Sequence, residues 1–157
     1  IAFDPFLSRG QGERSPFAPQ AFANTQGIFV GHGHFDHVYD IPEIAQHSHL
    51  QVYAPGLTGH ILRLRGLPRD RLQLSTHDDV LFRPFKLRAY HSGHVSFDLP
   101  LVISTIKRCG VRGCLHLCGL GPYPKGLVQT YFFEIRGKKF LYASSAGLSI
   151  NELMVYR

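Results

Sequence analysis

The sequence lacks an uninterrupted apolar run of the length that a membrane span requires, about 20 residues. It also lacks the charged and then apolar segment that marks a protein for export. Cysteine is scarce, with three residues, and an odd number without an export signal argues against a disulfide framework and for a reducing compartment. These absences predict a soluble, cytoplasmic protein with no membrane partner.

Charged residues are also few. They make up 18% of the chain against 44% hydrophobic residues, which is too apolar for a disordered protein. The net charge of +6 comes from lysines and arginines that are scattered along the chain in blocks no longer than two. This pattern indicates a solvated basic surface, with attraction of an anionic substrate as the alternative. No nucleic-acid partner is expected.

The length of 157 residues fits one domain spanning residues 1–157. The chain opens at Ile1 without an initiator Met and already inside an apolar run, and it closes at Arg157 shortly after another such run. We therefore expect a fragment of a fold that is incomplete at both ends. The oligomeric state is left open, a homo-oligomer included.

One short segment, GHGHFDH, concentrates His32, His34, Asp36 and His37 within six positions. The preceding GIFVG predicts a short buried strand, so the histidines lie in a loop at a strand end. Side chains two positions apart in an extended loop point the same way, and His32 and His34 can hold one cation from one side. Asp36 and His37 follow where the chain turns, suitably placed for a second cation. Imidazole and carboxylate ligands suit zinc, iron or manganese.

Other secondary structure is indicated around this loop. DIPEIAQH offers Asp40 as an N-cap with Glu43 three residues later, a capping-box pattern that predicts a helix. LQVYAP predicts a strand, and GLTGHILRLRG predicts a helix that Gly66 can close. After Pro100, LPLVISTIKRCG fits a helix or a strand almost equally.

A second strand also carries histidines at its end. FKLRAY alternates apolar and polar residues, which predicts a half-buried strand, and it runs into HSGH with His91 and His94. The clearest hairpin is QTYFFEIRGKKFLYASS, in which two aromatic-rich strands flank a turn at Arg136 and Gly137.

These motifs resemble a known family. HGHFDH after a short strand resembles the His-x-His-x-Asp-His signature of the metallo-β-lactamase fold superfamily. Within it, IAFDPFLS and AYHSGHVSFD resemble segments of the cytoplasmic hydrolases that include the ascorbate-6-phosphate lactonase-like proteins. The resemblance covers most of the chain. It implies an α+β fold, a four-layer αββα sandwich, with a metal site along the edge of its two sheets.

The resemblance also implies a ligand set. His32 and His34 would bind the first metal, and Asp36 and His37 would bind the second. The further histidine of the first site is left open. The His-Thr-Pro-Gly-His form of other members favours His94, whereas the lactonase-like branch favours His91 at the strand end.

Asp4 in the Asp-Pro motif would hydrogen-bond a ligand imidazole and fix its tautomer. The alternative is an aspartate that only initiates the turn before Pro5.

The activity implied is that of a metal-dependent hydrolase. Its nucleophile would be water activated by zinc, with manganese or iron as alternatives and one or two ions per chain. The substrate would be an ester, lactone or phosphodiester of a small anionic molecule. Asp36 and His94 are the residues expected to act in catalysis. Asp36 would ligate the metal and orient the nucleophile, and a proton would pass through Asp36 or through the unbound member of the His91 and His94 pair.

Two departures from the family pattern favour an alternative. Many members carry a Gly-Asp-Thr-Gly segment whose aspartate bridges two metals, but this chain has SSAG and places Ser145 there. The pattern's last histidine has no counterpart after His116. The alternative is therefore a degenerate member of the fold that binds a metal or ligand without catalysis.

Two further segments carry residues that could bind a metal or a substrate. CGVRGCLHLC could form a zinc knuckle, although its alternation favours a strand with buried thiols. The knuckle ligands would be Cys109, Cys114, His116 and Cys118. GLGPYPKG predicts a loop near the mouth of the pocket, where Tyr123 and Lys125 would contact an anionic substrate.

Overall fold

The computed structural model describes residues 1–7, 15–75, 79–82, 85–95 and 123–147, together with the isolated positions 103, 104, 107, 110, 111 and 154. The strands of this described part form two four-stranded sheets.

The first sheet is parallel, and its strands lie in the order in which they occur along the chain. They are β1 (Ala2–Phe3), β2 (Gly27–Phe29), β3 (Gln51–Ala54) and β4 (Leu72–Leu74). Parallel neighbours need crossover connections, which usually contain helices. The connections here contain α1 (Phe35–Val38), α2 (Ile41–Gln46), α3 (Gly56–Leu64) and short 3-10 helices at Pro19–Phe22 and Arg69–Arg71.

The second sheet is antiparallel and is also sequential. It contains β5 (Asp79–Phe82), β6 (Phe85–Ser92), β7 (Val128–Ile135) and β8 (Lys138–Tyr142). Between β7 and β8, Arg136 and Gly137 have φ angles of 51° and 74°. Positive φ at both central residues is the geometry of a type I′ turn, which suits the twist of a hairpin. The predicted hairpin and its turn are confirmed.

The side chains of β2 and of Val30, the next residue, alternate between two cores, because successive residues of an extended chain point to opposite faces. Ile28 and Val30 lie in a core shared with the helices, whereas Phe29 lies in a core between the two sheets. Its buried partners there come from β6 and β7, and they are Leu87, Ala89, Tyr131 and Phe133. The described layers are therefore helices, parallel sheet and antiparallel sheet, which are three of the four layers predicted.

Both predicted helices of the first half are present, but one of their predicted caps is not. α3 is followed by Gly66, whose φ of 101° allows the chain to leave the helix, as predicted. α2 begins directly after Asp40, yet the Asp40 side chain makes no capping hydrogen bond. Its carboxylate instead accepts a hydrogen bond from the backbone N–H of Leu7 at 2.6 Å. The capping-box prediction is therefore wrong.

Two sequence predictions fall mainly beyond the described residues. The segment after Pro100 is described at isolated positions, and those positions, Ile103, Ser104, Lys107 and Gly110, are helical. The knuckle candidates Cys109, Cys114, His116 and Cys118 all lie outside the described residues. Among the helices that are described, none has the length and apolar character needed to cross a membrane.

Candidate metal centre

The histidine-rich loop begins where β2 ends, and backbone hydrogen bonds hold it on two sides. The carbonyl of Gly31 accepts the N–H of Gln129 in β7 at 2.7 Å. The N–H of Gly33 donates to the carbonyl of Lys125 at 2.8 Å. These bonds keep the loop extended, and both His32 and His34 turn their side chains into the protein, where they are 0% and 5% exposed.

A third histidine reaches the same place from the end of β6. The N–H of Val95 donates to the carbonyl of Ser145 at 2.9 Å, and the N–H of Gly147 donates to the carbonyl of Gly93 at 2.8 Å. These bonds place His94 beside the loop. One potential ligand atom from each of His32, His34 and His94 lies within 4.8 Å of the others.

His91 is placed differently from His94. It remains within β6, opposite Gln129 of β7, and its side chain is exposed. It does not belong to the histidine triad, a name used below for His32, His34 and His94. The structure therefore brings one of the two alternative histidines to the loop, and the role of that residue as a ligand stays a prediction.

The electrostatics of the triad suit metal binding. Burial is the main reason that the pKa of His32 is lowered to about 2, with the neighbouring imidazoles and Lys125 adding to the effect. Burial and His94 lower the pKa of His34 to about 4, against the opposing charge of Asp36. Both rings are therefore neutral at physiological pH, and a neutral imidazole is the form that binds metal.

A ring nitrogen of His32 bears on whether the triad could hold a cation. Nδ1 of His32 makes no hydrogen bond, although a buried polar atom without a partner costs free energy. Nε2 of the same ring lies 3.0 Å from Nδ1 of His34. An unpaired ring nitrogen among three clustered imidazoles fits a divalent cation such as zinc.

Asp36 and His37 lie at the start of α1, beside the triad. The rings of His32 and His37 are 4.0 Å apart, and Nε2 of His37 lies 3.5 Å from Oδ2 of Asp36. The Asp36 side chain is 40% exposed and can reach solvent, whereas that of His37 is 12% exposed. The pair therefore offers an imidazole and a carboxylate next to the three histidines, as predicted for a second cation, and its role stays a prediction.

Asp4 holds the other side of His37. Its Oδ2 lies 2.7 Å from Nδ1 of His37, so the predicted contact of Asp4 with an imidazole is confirmed. Burial lowers the pKa of His37, but the hydrogen bond and charge of Asp4, with the charge of Asp36, outweigh burial and raise it. Asp4 itself is nearly enclosed, because its side chain is 3% exposed.

Two residues of this site were missed from the sequence. The hydroxyl groups of Tyr142 and Ser144 both donate to Oδ2 of Asp4, at 2.8 and 2.7 Å. Sequence reasoning singled out Ser145, one position further along. The available signal was the end of a predicted aromatic-rich strand, which does not distinguish the two adjacent serines.

The loop residues predicted to meet a substrate have different surroundings. Tyr123 is buried in the helix-side core, and the guanidinium of Arg65 lies 4.4 Å from the centre of its ring. Lys125 is exposed, and its positive charge contributes to the lowered pKa of both His32 and His34. Lys125 is therefore a solvent-accessible cation close to the triad.

Comparisons with known proteins give one family match and several similar structures. A sequence model described as "Beta-lactamase superfamily domain" matches residues 1–153. No curated protein sequence matches the chain.

Among solved structures, a possible metal-dependent hydrolase from Veillonella parvula is 13% identical, with a TM-score of 0.63, over 98% of this chain and 59% of its own. An isothiocyanate hydrolase from Delia radicum gut bacteria is 13% identical, with a TM-score of 0.61, over 98% of this chain and 61% of its own. A metallo hydrolase from the archaeon Ignicoccus hospitalis is 14% identical, with a TM-score of 0.55, over 87% of this chain and 50% of its own. The chain thus spans between half and about three-fifths of these similar structures.

Proposed function

Because the chain belongs to the beta-lactamase superfamily domain family and has the metallo-β-lactamase fold, we propose that it is a metal-dependent hydrolase. The observation that supports this function most directly is the histidine triad, with one buried ring nitrogen that lacks a partner. On this proposal, residues 1–157 act as a single hydrolase domain or as a part of one.

The triad would hold the first metal, and Asp36 with His37 would hold a second where two ions bind. Zinc is proposed ahead of manganese or iron, because sites rich in imidazole suit it well. A bound zinc ion would lower the pKa of a water molecule from about 15.7 toward ~7 and polarise the scissile bond.

The residues around the triad would each have a separate task. Asp36 is the most exposed carboxylate at the site and would orient the attacking water and accept its proton. The ring of His37 lies between two carboxylates, with Asp4 2.7 Å from Nδ1 and Asp36 3.5 Å from Nε2, and Asp4 is the one that orients it. His94 would serve as a ligand. His91, exposed at the end of β6, is the alternative path for a proton.

The proposed substrate is an ester, lactone or phosphodiester of a small anionic molecule. Lys125 supports this class, because it places an exposed positive charge close to His32 and His34. The net charge of +6 would favour the approach of the same class of molecule. Three cysteines in a chain of this size support a cytoplasmic location.

A second function is favoured by one observation. SSAG places Ser145 where many members of the family have a bridging aspartate, and a hydroxyl group is a poor replacement for a bridging carboxylate. This favours a protein that binds a metal or a ligand at the triad without catalysing hydrolysis.

Metal content tests the hydrolase and the metal-binding form of the second function. Elemental analysis of protein purified without chelator should find at least about one zinc, manganese or iron ion per chain. His34→Ala should lose the metal bound by the triad, together with any hydrolysis. His47→Ala is the matched control, because His47 is exposed at the end of α2 and should leave metal content unchanged.

Three results would decide against the proposal. A parent protein that takes up no metal would contradict the hydrolase and would leave only ligand binding for the second function. A His34→Ala protein with full metal content and activity would contradict the assignment of the triad. Metal-loaded protein that hydrolyses no member of a panel of lactones, carboxylic esters and phosphodiesters would favour the binding function instead.

A further inference from the structure

Ser144 has an unusual backbone conformation at the end of β8. Its φ angle is 47°, in the left-handed region that favours glycine. Residues other than glycine keep such a conformation only where the surrounding structure stabilises it, and such residues cluster at functional sites. The conformation of Ser144 therefore needs a specific explanation.

Tight packing against the metal loop is one part of that explanation. A Cβ atom built on Gly31 would lie 2.5 Å from Oγ of Ser144 and 2.9 Å from Oδ2 of Asp4. Gly31 directly precedes His32, so the Ser144 side chain lies against the first residue of the histidine-rich loop.

Hydrogen bonding to Asp4 is the other part. Oδ1 of Asp4 accepts the N–H of Gly31 at 2.7 Å. Oδ2 accepts the hydroxyl groups of Tyr142 and Ser144 and lies 2.7 Å from Nδ1 of His37. Four donors thus surround the carboxylate, one at Oδ1 and three at Oδ2. These partners hold the Asp4 carboxylate in one orientation.

We propose that Ser144 is a positioning residue for His37, which it orients through the Asp4 carboxylate. With Asp4 held in this orientation, Nδ1 of His37 carries the proton and donates it to Oδ2. The lone pair of Nε2 is then directed to the side where Asp36 lies, 3.5 Å away. An imidazole nitrogen without a proton is the one that can bind a cation.

This role differs from the one that the sequence suggests for Ser145. The backbone carbonyl of Ser145 accepts the N–H of Val95, next to His94. The hydroxyl of Ser144 instead lies 3.5 Å from Nδ1 of His37 and donates to Asp4. Adjacent serines therefore support different histidines, one through its backbone and the other through its side chain.

The inference rests on the proposed metal centre, but it can be tested without metal. The tautomer of the His37 ring is measured by nitrogen-15 NMR on metal-free protein, over a pH series that is extended until the ring signals show a neutral imidazole. The parent should carry its proton on Nδ1. Ser144→Gly removes the hydroxyl while permitting the left-handed backbone, and it should populate the other tautomer as well.

Two more variants separate the hydroxyl from the backbone. Ser144→Ala removes the same hydroxyl, so it should change the tautomer as Ser144→Gly does. Because alanine does not relieve the strained backbone, Ser144→Ala should unfold at a lower temperature than Ser144→Gly. Ser145→Ala keeps the carbonyl that pairs with Val95 and should leave the His37 tautomer as in the parent. A Ser144→Gly protein with the parent tautomer, or a Ser145→Ala protein with the altered one, would overturn the inference.

Metal titration gives a second readout. In Ser144→Gly, the ion held by Asp36 and His37 should bind about ten-fold more weakly, which is the usual effect of losing a group that orients a ligand. Binding at the triad should be unchanged. Failure of the metal centre itself would appear separately, as a parent protein that takes up no metal at all.

Discussion

The hydroxyl group of Tyr131 donates a hydrogen bond of 2.8 Å to the carbonyl oxygen of Val30, a residue 101 positions earlier in the chain. Both residues are fully buried. Val30 directly follows β2 of the parallel sheet, whereas Tyr131 lies in β7 of the antiparallel sheet. The same hydroxyl lies 3.0 Å from Oε1 of Gln129, whose backbone N–H donates to the carbonyl of Gly31. A buried polar network thus joins the two sheets directly before the histidine-rich loop.

Removal of that hydroxyl should destabilise the protein. Tyr131→Phe keeps the ring but leaves the carbonyl of Val30 without this partner, so the free energy of unfolding should fall by about 1–3 kcal/mol. Urea denaturation measures the change. Tyr39→Phe is the control, because Tyr39 is 46% exposed and its change should stay within about 0.5 kcal/mol. Equal effects of the two substitutions would contradict a structural role for the buried bond.

Alkaline pH should destabilise the fold through buried phenol groups. Burial raises the pKa of Tyr131, and burial together with the charge of Asp4 raises that of Tyr142. In the unfolded chain, tyrosine ionises near pH ~10. Above that pH the unfolded state binds fewer protons than the folded state, so stability that is present at lower pH is lost as the pH rises.

The alkaline prediction is checked by following phenolate absorbance and circular dichroism together. Some of the seven tyrosines should ionise only when the circular dichroism of the folded state is lost. Complete ionisation while the folded spectrum persists would contradict the burial of these side chains.

A methyl group at Gly33 should disturb the metal loop. A Cβ atom there would collide with the backbone carbonyl of Pro124 and would lie 3.1 Å from Oγ1 of Thr58. Overpacking of this kind costs about 1–3 kcal/mol, so Gly33→Ala should unfold at a lower temperature and retain less metal. Gly56→Ala is the matched control, since a Cβ at the first residue of α3 meets nothing within 4 Å. Equal unfolding temperatures and metal contents for the two variants would contradict a role for the close packing at Gly33.

Lys125 should affect anionic substrates in particular. Lys125→Gln should raise KM for bis(para-nitrophenyl) phosphate by up to about five-fold, which is the effect of one exposed charge worth about 1 kcal/mol. Neutral para-nitrophenyl acetate should be hydrolysed as before, and added salt should reduce the difference. Lys138→Gln serves as the control, because Lys138 is exposed in the hairpin. An equal loss with the neutral ester would argue against a charge effect.

Local patterns account for most of what could be predicted from the sequence. Apolar residues ahead of the histidines indicated β2, and the turn at Arg136 and Gly137 indicated the hairpin. These signals act within a few residues, where backbone preference and alternation dominate. The family resemblance then related the histidine-rich loop to a fold.

Contacts between distant segments account for the rest. The sequence left His91 and His94 open, since the choice depends on pairing of residues 93–95 with residues 145–147. The prediction of a capping box was wrong because the backbone N–H of Leu7, 33 positions away, donates its hydrogen bond to the carboxylate of Asp40. Similarly, the choice of Ser144 over Ser145 depends on one backbone angle that residue spacing does not reveal.

The alternation along β2 makes the length of this segment more critical than its composition. Ile28 and Val30 face the helices while Phe29 faces the second sheet, and two residues later the chain reaches His32. A single-residue insertion or deletion between Phe29 and His32 would turn the imidazoles to the opposite face, because the side-chain period of a strand is two. Exchange of one apolar residue for another leaves each side chain on the same face of the strand. In homologous or designed variants, gaps should therefore be tolerated at the β7–β8 turn and excluded from this strand and its exit.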